Sequence, residues 1–175
     1  FHDFYDQHAL LERLTHYLDF PWNPRNSVQN TGMPADIPAA LNFFDPTNEI
    51  RRPLHREYIR KVLFDLSANH NVIYFTAEVY TGPLSFVQFW MDTIMEWEQE
   101  TNTQVMIGLG TTKDVAEAIL ADPVRGPRIA AINLKYWWYE ADGTLYAPNS
   151  SEDVPGRFVN QHNPADPEML YRQVR

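Results

Sequence analysis

The chain has 175 residues, 44% hydrophobic and 21% charged, which suits one globular domain with a real core and argues against wholesale disorder. Its formal net charge of −9, without a dominant Lys/Arg cluster, excludes nucleic-acid phosphates as an expected partner. The absence of cysteine excludes a disulfide framework or a cysteine metal site, and no apolar run is long enough to cross a bilayer.

Residues 1–20 carry Phe4, Leu11, Leu14 and Leu18 at helical spacing, although Phe1–Tyr5 also reads as the end of a strand. Pro21 and Pro24 stop that helix, and Phe20–Asp45 is turn-like. A loop this long inside a domain is usually functional or disordered. Trp22, Phe43 and Phe44 predict an ordered, packed one. Pro53–Asn69 is a helix whose stripe is Leu54, Tyr58, Ile59, Val62, Leu63 and Leu66. The basic residues from Arg51 to Lys61 read as its solvated face.

Val72–Thr76 is a buried strand, because strands of parallel sheets are covered on both faces and read as continuous apolar runs. Ser85–Thr101 is a second helix, with Phe86, Phe89, Trp90, Ile94 and Trp97 along one side. Val105–Leu109 is a strand. Thr111 with Asp114 resembles a capping box opening the helix Lys113–Ala121. Ile129–Leu134 is the next strand, and it runs into Lys135-Tyr136-Trp137-Trp138-Tyr139. A turn at Ala141–Gly143 leads into a loop, Thr144–Gln161, and Asp166-Pro167 opens a last helix.

Strands separated by single crossover helices are parallel, with right-handed connections. The predicted class is therefore α/β, and the strand exits share one edge. Glu78 and Tyr80, then Thr111 and Thr112, then Lys135 to Trp138 fall along it. Ligands bind at such edges.

These residues carry a resemblance. Leu54, Tyr58–Val62, Asn71–Tyr74 and Glu78 resemble the third helix and fourth strand of clan-A-type glycoside hydrolases, which are (β/α)8 TIM barrels. A closer match is to a mostly uncharacterised bacterial family of barrel proteins associated with carbohydrate degradation. It rests on Gln7-His8, Asp19–Trp22, Leu54–Arg56, Tyr58–Arg60, Glu78–Trp90 (with Val79 inserted), Thr112–Val115 and Tyr136–Tyr139. The resemblance implies part of a barrel, from about the end of strand three to the helix after strand six. Residues 1–175 are then one incomplete barrel domain within a longer polypeptide. The resemblance implies that Glu78, at the exit of the fourth strand, is the catalytic acid/base. Ala77 stands where the clan usually has the asparagine that contacts a sugar hydroxyl.

A glycosidase needs a proton donor for the leaving oxygen and a second carboxylate. Glu78 as donor requires a raised pKa, which burial beside Tyr80 and tryptophans supplies; its plain alternative is a structural glutamate paired with a cation. Asp3, Asp45, Glu49 and Glu140 are the second-carboxylate candidates, and none has a distinguishing signature. His2 and His8 are expected as hydrogen-bonding groups at the rim; with Asp3 and Asp6 they match no metal motif. Trp22, Arg25, Asn26 and Asn30 make a candidate substrate-facing loop, whose alternative is a loop satisfying its own backbone.

Tyr80, Thr112, Lys135, Tyr136, Trp137 and Trp138 complete the expected substrate-binding set. Lys135 faces the groove if strand alternation holds. Of Trp137 and Trp138, one faces the site and the other packs outward. No metal and no cofactor are expected.

The reading is thus a glycoside hydrolase-like protein acting on a polysaccharide or oligosaccharide. The alternatives are a non-catalytic glycan-binding barrel and a structural or interaction module. The expected partners are the carbohydrate and, for the open sheet edges, the remainder of the same barrel or a self-associated copy. The expected location is periplasmic or secreted.

Overall fold

The computed structural model describes residues 2–5, 14–37, 39–77, 80–134, 137–139, 142–147 and 149–150. Its elements in order are β1 (His2–Asp3), α1 (Leu14–Tyr17), α2 (Ala40–Phe43), α3 (Arg51–Leu66), β2 (Ile73–Phe75), α4 (Leu84–Thr101), β3 (Met106–Leu109) and α5 (Lys113–Ala121). A 3-10 turn at Gly126–Arg128, β4 (Ile129–Ile132), β5 (Trp138–Tyr139) and β6 (Leu145–Tyr146) follow. The helix expected from Pro167 lies outside the described residues.

The first four strands form one sheet in the order β1-β2-β3-β4, every pair parallel. Tyr74 pairs with His2 on one side and Ile107 on the other; Phe75 pairs with Asp3 and Gly108. α3 packs beside α4, and α4 beside α5. Spatial order thus follows chain order, the outcome when each crossover helix delivers its strand next to the previous one.

Side-chain alternation separates the two faces of the sheet. Tyr74, Ile107 and Leu109 join the core beneath the helices. Phe75 and Gly108 hold the opposite parity and face the other side. A Cβ on Gly108 would sit 2.4 Å from Phe75 Cε1, so only glycine there lets the Phe75 ring lie across the sheet.

α4 buries the stripe its spacing dictates, whereas on α3 only Ile59 and Leu63 of the expected stripe are fully buried; Leu54, Val62 and Leu66 are half-buried and Tyr58 is 36% exposed. α4 contributes Phe86, Val87, Trp90, Met91, Ile94 and Trp97. On α3 the buried line is Arg51, His55, Ile59 and Leu63, at strict i, i+4 spacing. The core is largely aromatic. Trp90 meets Phe4 edge-on at 5.7 Å, and Phe86 lies 5.0–5.1 Å from Phe44, Tyr5 and His55. Each such side chain contributes roughly 1.5–3 kcal/mol on full burial. Tyr58 donates its hydroxyl to the Phe4 carbonyl at 3.1 Å, tying α3 to the chain just beyond β1.

α3 begins at Arg51, two residues before Pro53, because Asn48 Oδ1 accepts the N–H groups of Ile50 and Arg51 at 3.1 and 3.0 Å. Arg51 is not on a solvated face. It is 2% exposed, its guanidinium donates to the Gly32 carbonyl, and Asp45 lies 3.9 Å away. It anchors the long 20–45 segment from below, and the outer face of the helix is left to Arg56 and Arg60, which pair with Glu96 and Glu100 of α4.

The 20–45 segment is held by its own polar side chains. Asn23 Nδ2 donates to the Tyr17 carbonyl at 3.0 Å, and Asn26 Nδ2 donates to the carbonyls of Leu18 and Phe20 at 2.7 and 3.0 Å. The Thr31 hydroxyl donates to the Trp22 carbonyl at 2.8 Å.

The region after Thr144 is not all loop. Leu145–Tyr146 pairs antiparallel with Trp138–Tyr139 across a turn in which Gly143 takes φ +86°. Two-residue strands are too short to show alternation in sequence, and the positive φ at glycine is the local signal that closes the hairpin.

Candidate functional site

The exits of the four parallel strands lie together. Beyond β1, the N–H groups of Phe4 and Tyr5 donate to the carbonyls of Phe75 and Thr76 at 3.1 and 2.8 Å. Beyond β2, Thr76 and Ala77 are fully buried; the described chain resumes at Tyr80, which bridges Thr111 and donates its N–H to the Gly110 carbonyl at 3.1 Å. Beyond β4, Asn133 N–H donates to the Leu109 carbonyl at 2.7 Å. One edge therefore carries Tyr5, Thr76, Ala77, Tyr80, Thr111, Thr112 and Asn133.

Glu78, His8, Lys135 and Tyr136 lie outside the described residues. Thr112 is at the edge and buried. It occupies the N-cap position of α5, yet no side-chain cap bond forms. The expected capping box with Asp114 is replaced by a longer-range contact. Asp114 Oδ2 accepts both the N–H and the hydroxyl of Ser150, each at 2.9 Å. Burial raises the Asp114 pKa, but the polar neighbours at this corner (the Thr112 hydroxyl, Ser150 and the Val115 N–H) outweigh it and hold the carboxyl below its ordinary value.

Trp137 is half-buried beside the start of α5, with Lys113 Nζ 5.7 Å from its ring centroid. Lys113 also pairs with Glu117. The indole Nε1 of Trp137 and the hydroxyl of Thr76 are buried and have no hydrogen-bond partner among the described residues. Buried polar atoms are nearly always satisfied, so orphans at a strand exit call for an explanation. Trp138 is described only by its backbone in β5.

Tyr80, His2, Arg25, Asn30 and Trp22 are the other expected residues among those described. Tyr80 is fully buried and its hydroxyl donates to the Pro83 carbonyl at 2.8 Å, closing the turn before α4. Burial drives its pKa well above the ordinary phenol value, as it does for Tyr5, so both remain neutral. His2 lies within β1, level with Tyr74 and below the exits, its ring 5.1 Å from Phe4.

Arg25 and Asn30 are exposed. Asn30 Oδ1 accepts the Gly32 N–H at 3.1 Å, and the Arg25 N–H donates to Asn23 Oδ1 at 3.0 Å. These are the bonds of a loop satisfying its own backbone. Trp22 stands apart from both and belongs to the wall formed with His55 and Phe43.

His55 is the residue that the sequence reading passed over. It is fully buried, with Nε2 2.8 Å from the Phe43 carbonyl and Nδ1 3.1 Å from the Tyr5 hydroxyl. A carbonyl only accepts, so Nε2 carries the proton and the Tyr5 hydroxyl donates to Nδ1. Burial pushes the imidazole pKa down to about 4; the Phe43 carbonyl opposes that shift and the Arg51 charge adds to it. The i, i+4 line through Arg51, Ile59 and Leu63 was the available signal.

At the opposite, strand-entry end, Glu98 accepts from Arg128 at 2.6 Å and from Val105 N–H at 2.8 Å. A cavity of about 630 Å³ beside this pair is lined by Met95, Gln99, Asn102 and Val124 among others. Its polar groups brace α4 against the starts of β3 and β4. Among the described residues no cluster of three or more His, Cys, Asp or Glu could hold a metal, and no helix is long and apolar enough to cross a membrane.

The sheet and its exits define an α/β protein with a polar and aromatic strand-exit edge. The chain belongs to the family described as a domain of unknown function, DUF6298, whose model matches residues 1–175. No curated protein and no solved structure matches the chain.

Proposed function

We propose that this chain is part of a (β/α)8 barrel that cleaves glycosidic bonds in a polysaccharide or oligosaccharide, with Glu78 as general acid/base. The observation that carries the reading is the shared exit edge of four parallel strands in chain order. Active sites of such barrels form at the C-terminal strand ends. Glu78 follows Ala77, the last described residue of the β2 exit, by one peptide bond. The orphaned polar atoms of Thr76 and Trp137 support a ligand at the same edge.

In this mechanism the Glu78 carboxyl gives its proton to the leaving glycosidic oxygen as the bond to the anomeric carbon breaks. A second carboxylate acts from the other side of the sugar, as nucleophile or as base for a water. The described strands would stand for barrel strands three to six, and the remaining strands, from the same polypeptide or a second copy, would cover the free edges of β1 and β4. A periplasmic or secreted setting fits a polymeric glycan.

One observation favours a binding-only barrel instead. Asp114, the carboxylate described at this edge, is committed to Ser150. Chromatography of neutral oligosaccharides after incubation with the full-length protein separates the two readings. Shortened products are the expected result. Retention of an oligosaccharide on the protein with no product would replace the hydrolase with the binding barrel.

A further inference from the structure

Trp22 is half-buried and packs against the hydrophobic core with one part of its ring toward a surface cavity. One face of the indole stacks on the His55 ring at 4.6 Å and 24°, and the Phe43 ring meets it edge-on at 5.0 Å. His55 and Phe43 are fully buried, and the Trp22 carbonyl is fixed by Thr31. The ring is thus a rigid, half-buried plate. It lines a cavity of about 340 Å³ with Pro21, Leu54, Ser27, Gln29 and Glu57. That volume is at the low end for small-ligand sites.

The lining has two characters. Pro21, Leu54 and the indole supply apolar surface. Ser27, Gln29 and Glu57 supply hydrogen-bonding groups; Ser27 Oγ lies 3.1 Å from Gln29 Oε1, which leaves the Gln29 amide N–H groups to donate outward. A pyranose ring matches this division, with a C–H face to lay on an aromatic plate and a hydroxyl rim to exchange hydrogen bonds. The Glu57 carboxylate and the net charge of −9 select against acidic sugars.

We infer that this cavity is a surface subsite for a neutral pyranose unit of a glycan, separate from the strand-exit edge. The inference rests on the reading that the ligand is carbohydrate. The separation follows from His55, which stands between Trp22 and Tyr5. A subsite there holds a polymeric chain at a second point, and two linked contacts raise the local concentration of substrate at the edge.

The test uses the full-length Glu78→Gln protein, so that no probe is consumed, titrated with cellohexaose, xylohexaose and mannohexaose. The Trp22 indole N–H resonance, assigned by its loss in a Trp22→Phe variant, is expected to shift with at least one probe. Trp22→Ala lowers the affinity of the responding site at least tenfold. Because Trp22 supports His55, the exposed positions provide a second check. Gln29→Ala and Glu57→Ala each weaken the same site threefold or more with an unchanged thermal midpoint. No shift of the Trp22 resonance with any of the three, or wild-type affinity in both exposed variants, overturns the inference. If the wild-type protein still shortens these glycans, the inference falls alone and the hydrolase stands. If Trp22 responds in a protein that cleaves none of them, the subsite stands and the hydrolase falls.

Discussion

Exchanging Glu78 for glutamine is expected to lower kcat/KM on an unactivated oligosaccharide by about 10²–10⁴-fold, the usual contribution of a positioned general acid. Glutamine keeps the shape and loses the transferable proton. A sugar alkoxide is a poor leaving group and needs that proton as the bond breaks. An aryl glycoside with an acidic phenol does not, so the same substitution should reduce its cleavage far less. Binding of the oligosaccharide should change little. The leaving-group contrast separates catalysis from architecture. A glutamate that merely braces the strand exit would, when replaced, lower both substrates together and lower the thermal midpoint with them. Parallel kinetics on the two substrates, with thermal denaturation of both proteins, decide between these outcomes.

His55→Ala should destabilise the fold by roughly 3–5 kcal/mol at pH 7. The substitution opens a cavity among Tyr5, Trp22, Phe43 and Phe86, and strands the Tyr5 hydroxyl and the Phe43 carbonyl. The difference between the proteins should depend on pH, with a sign set by the pKa. His55 titrates near 4 in the folded chain and at the ordinary 6.5 when unfolded. Between those values the unfolded chain holds more protons, so the stability due to neutral His55 is fully present above pH 6.5. It is lost as pH falls to about 4, and amounts to ~3 kcal/mol. The alanine variant lacks this loss. Its deficit against wild type should therefore shrink on acidification, with the contribution of the carboxylates common to both proteins. Urea denaturation at pH 7 and near pH 4 checks this; a deficit below 1 kcal/mol, or one independent of pH, would contradict the account of His55.

How far these features were legible in the sequence depended on whether their cause was local. α4 and α5 were readable because their apolar spacing and their stops at Thr101 and Asp122-Pro123 lie within a few residues of each other. The parallel order of the strands required only connectivity. Arg51 and His55 were misjudged or missed because periodicity reports a helix face without its partners. Arg51 donates to Gly32 and His55 bonds to Phe43, partners 19 and 12 positions upstream in the 20–45 segment. The same limit applies to the edge. Thr112 was visible as a strand-exit hydroxyl, whereas the tether from Asp114 to Ser150 spans 36 positions and follows no local rule. The place of Tyr80 at the strand exit was readable from the chain, whereas its burial and the bond of its hydroxyl to the Pro83 carbonyl were not.

The most direct test of the central claim is a crystal structure of the full-length Glu78→Gln protein with a bound oligosaccharide. The account predicts the side chain at position 78 within hydrogen-bond reach of a glycosidic oxygen at the strand-exit edge. A carboxylate from another strand should stand opposite, roughly 5–5.5 Å away for a retaining enzyme or 6.5–9.5 Å for an inverting one. An oligosaccharide crossing that edge with position 78 remote from every glycosidic bond, or with no carboxylate opposite it, would contradict the claim.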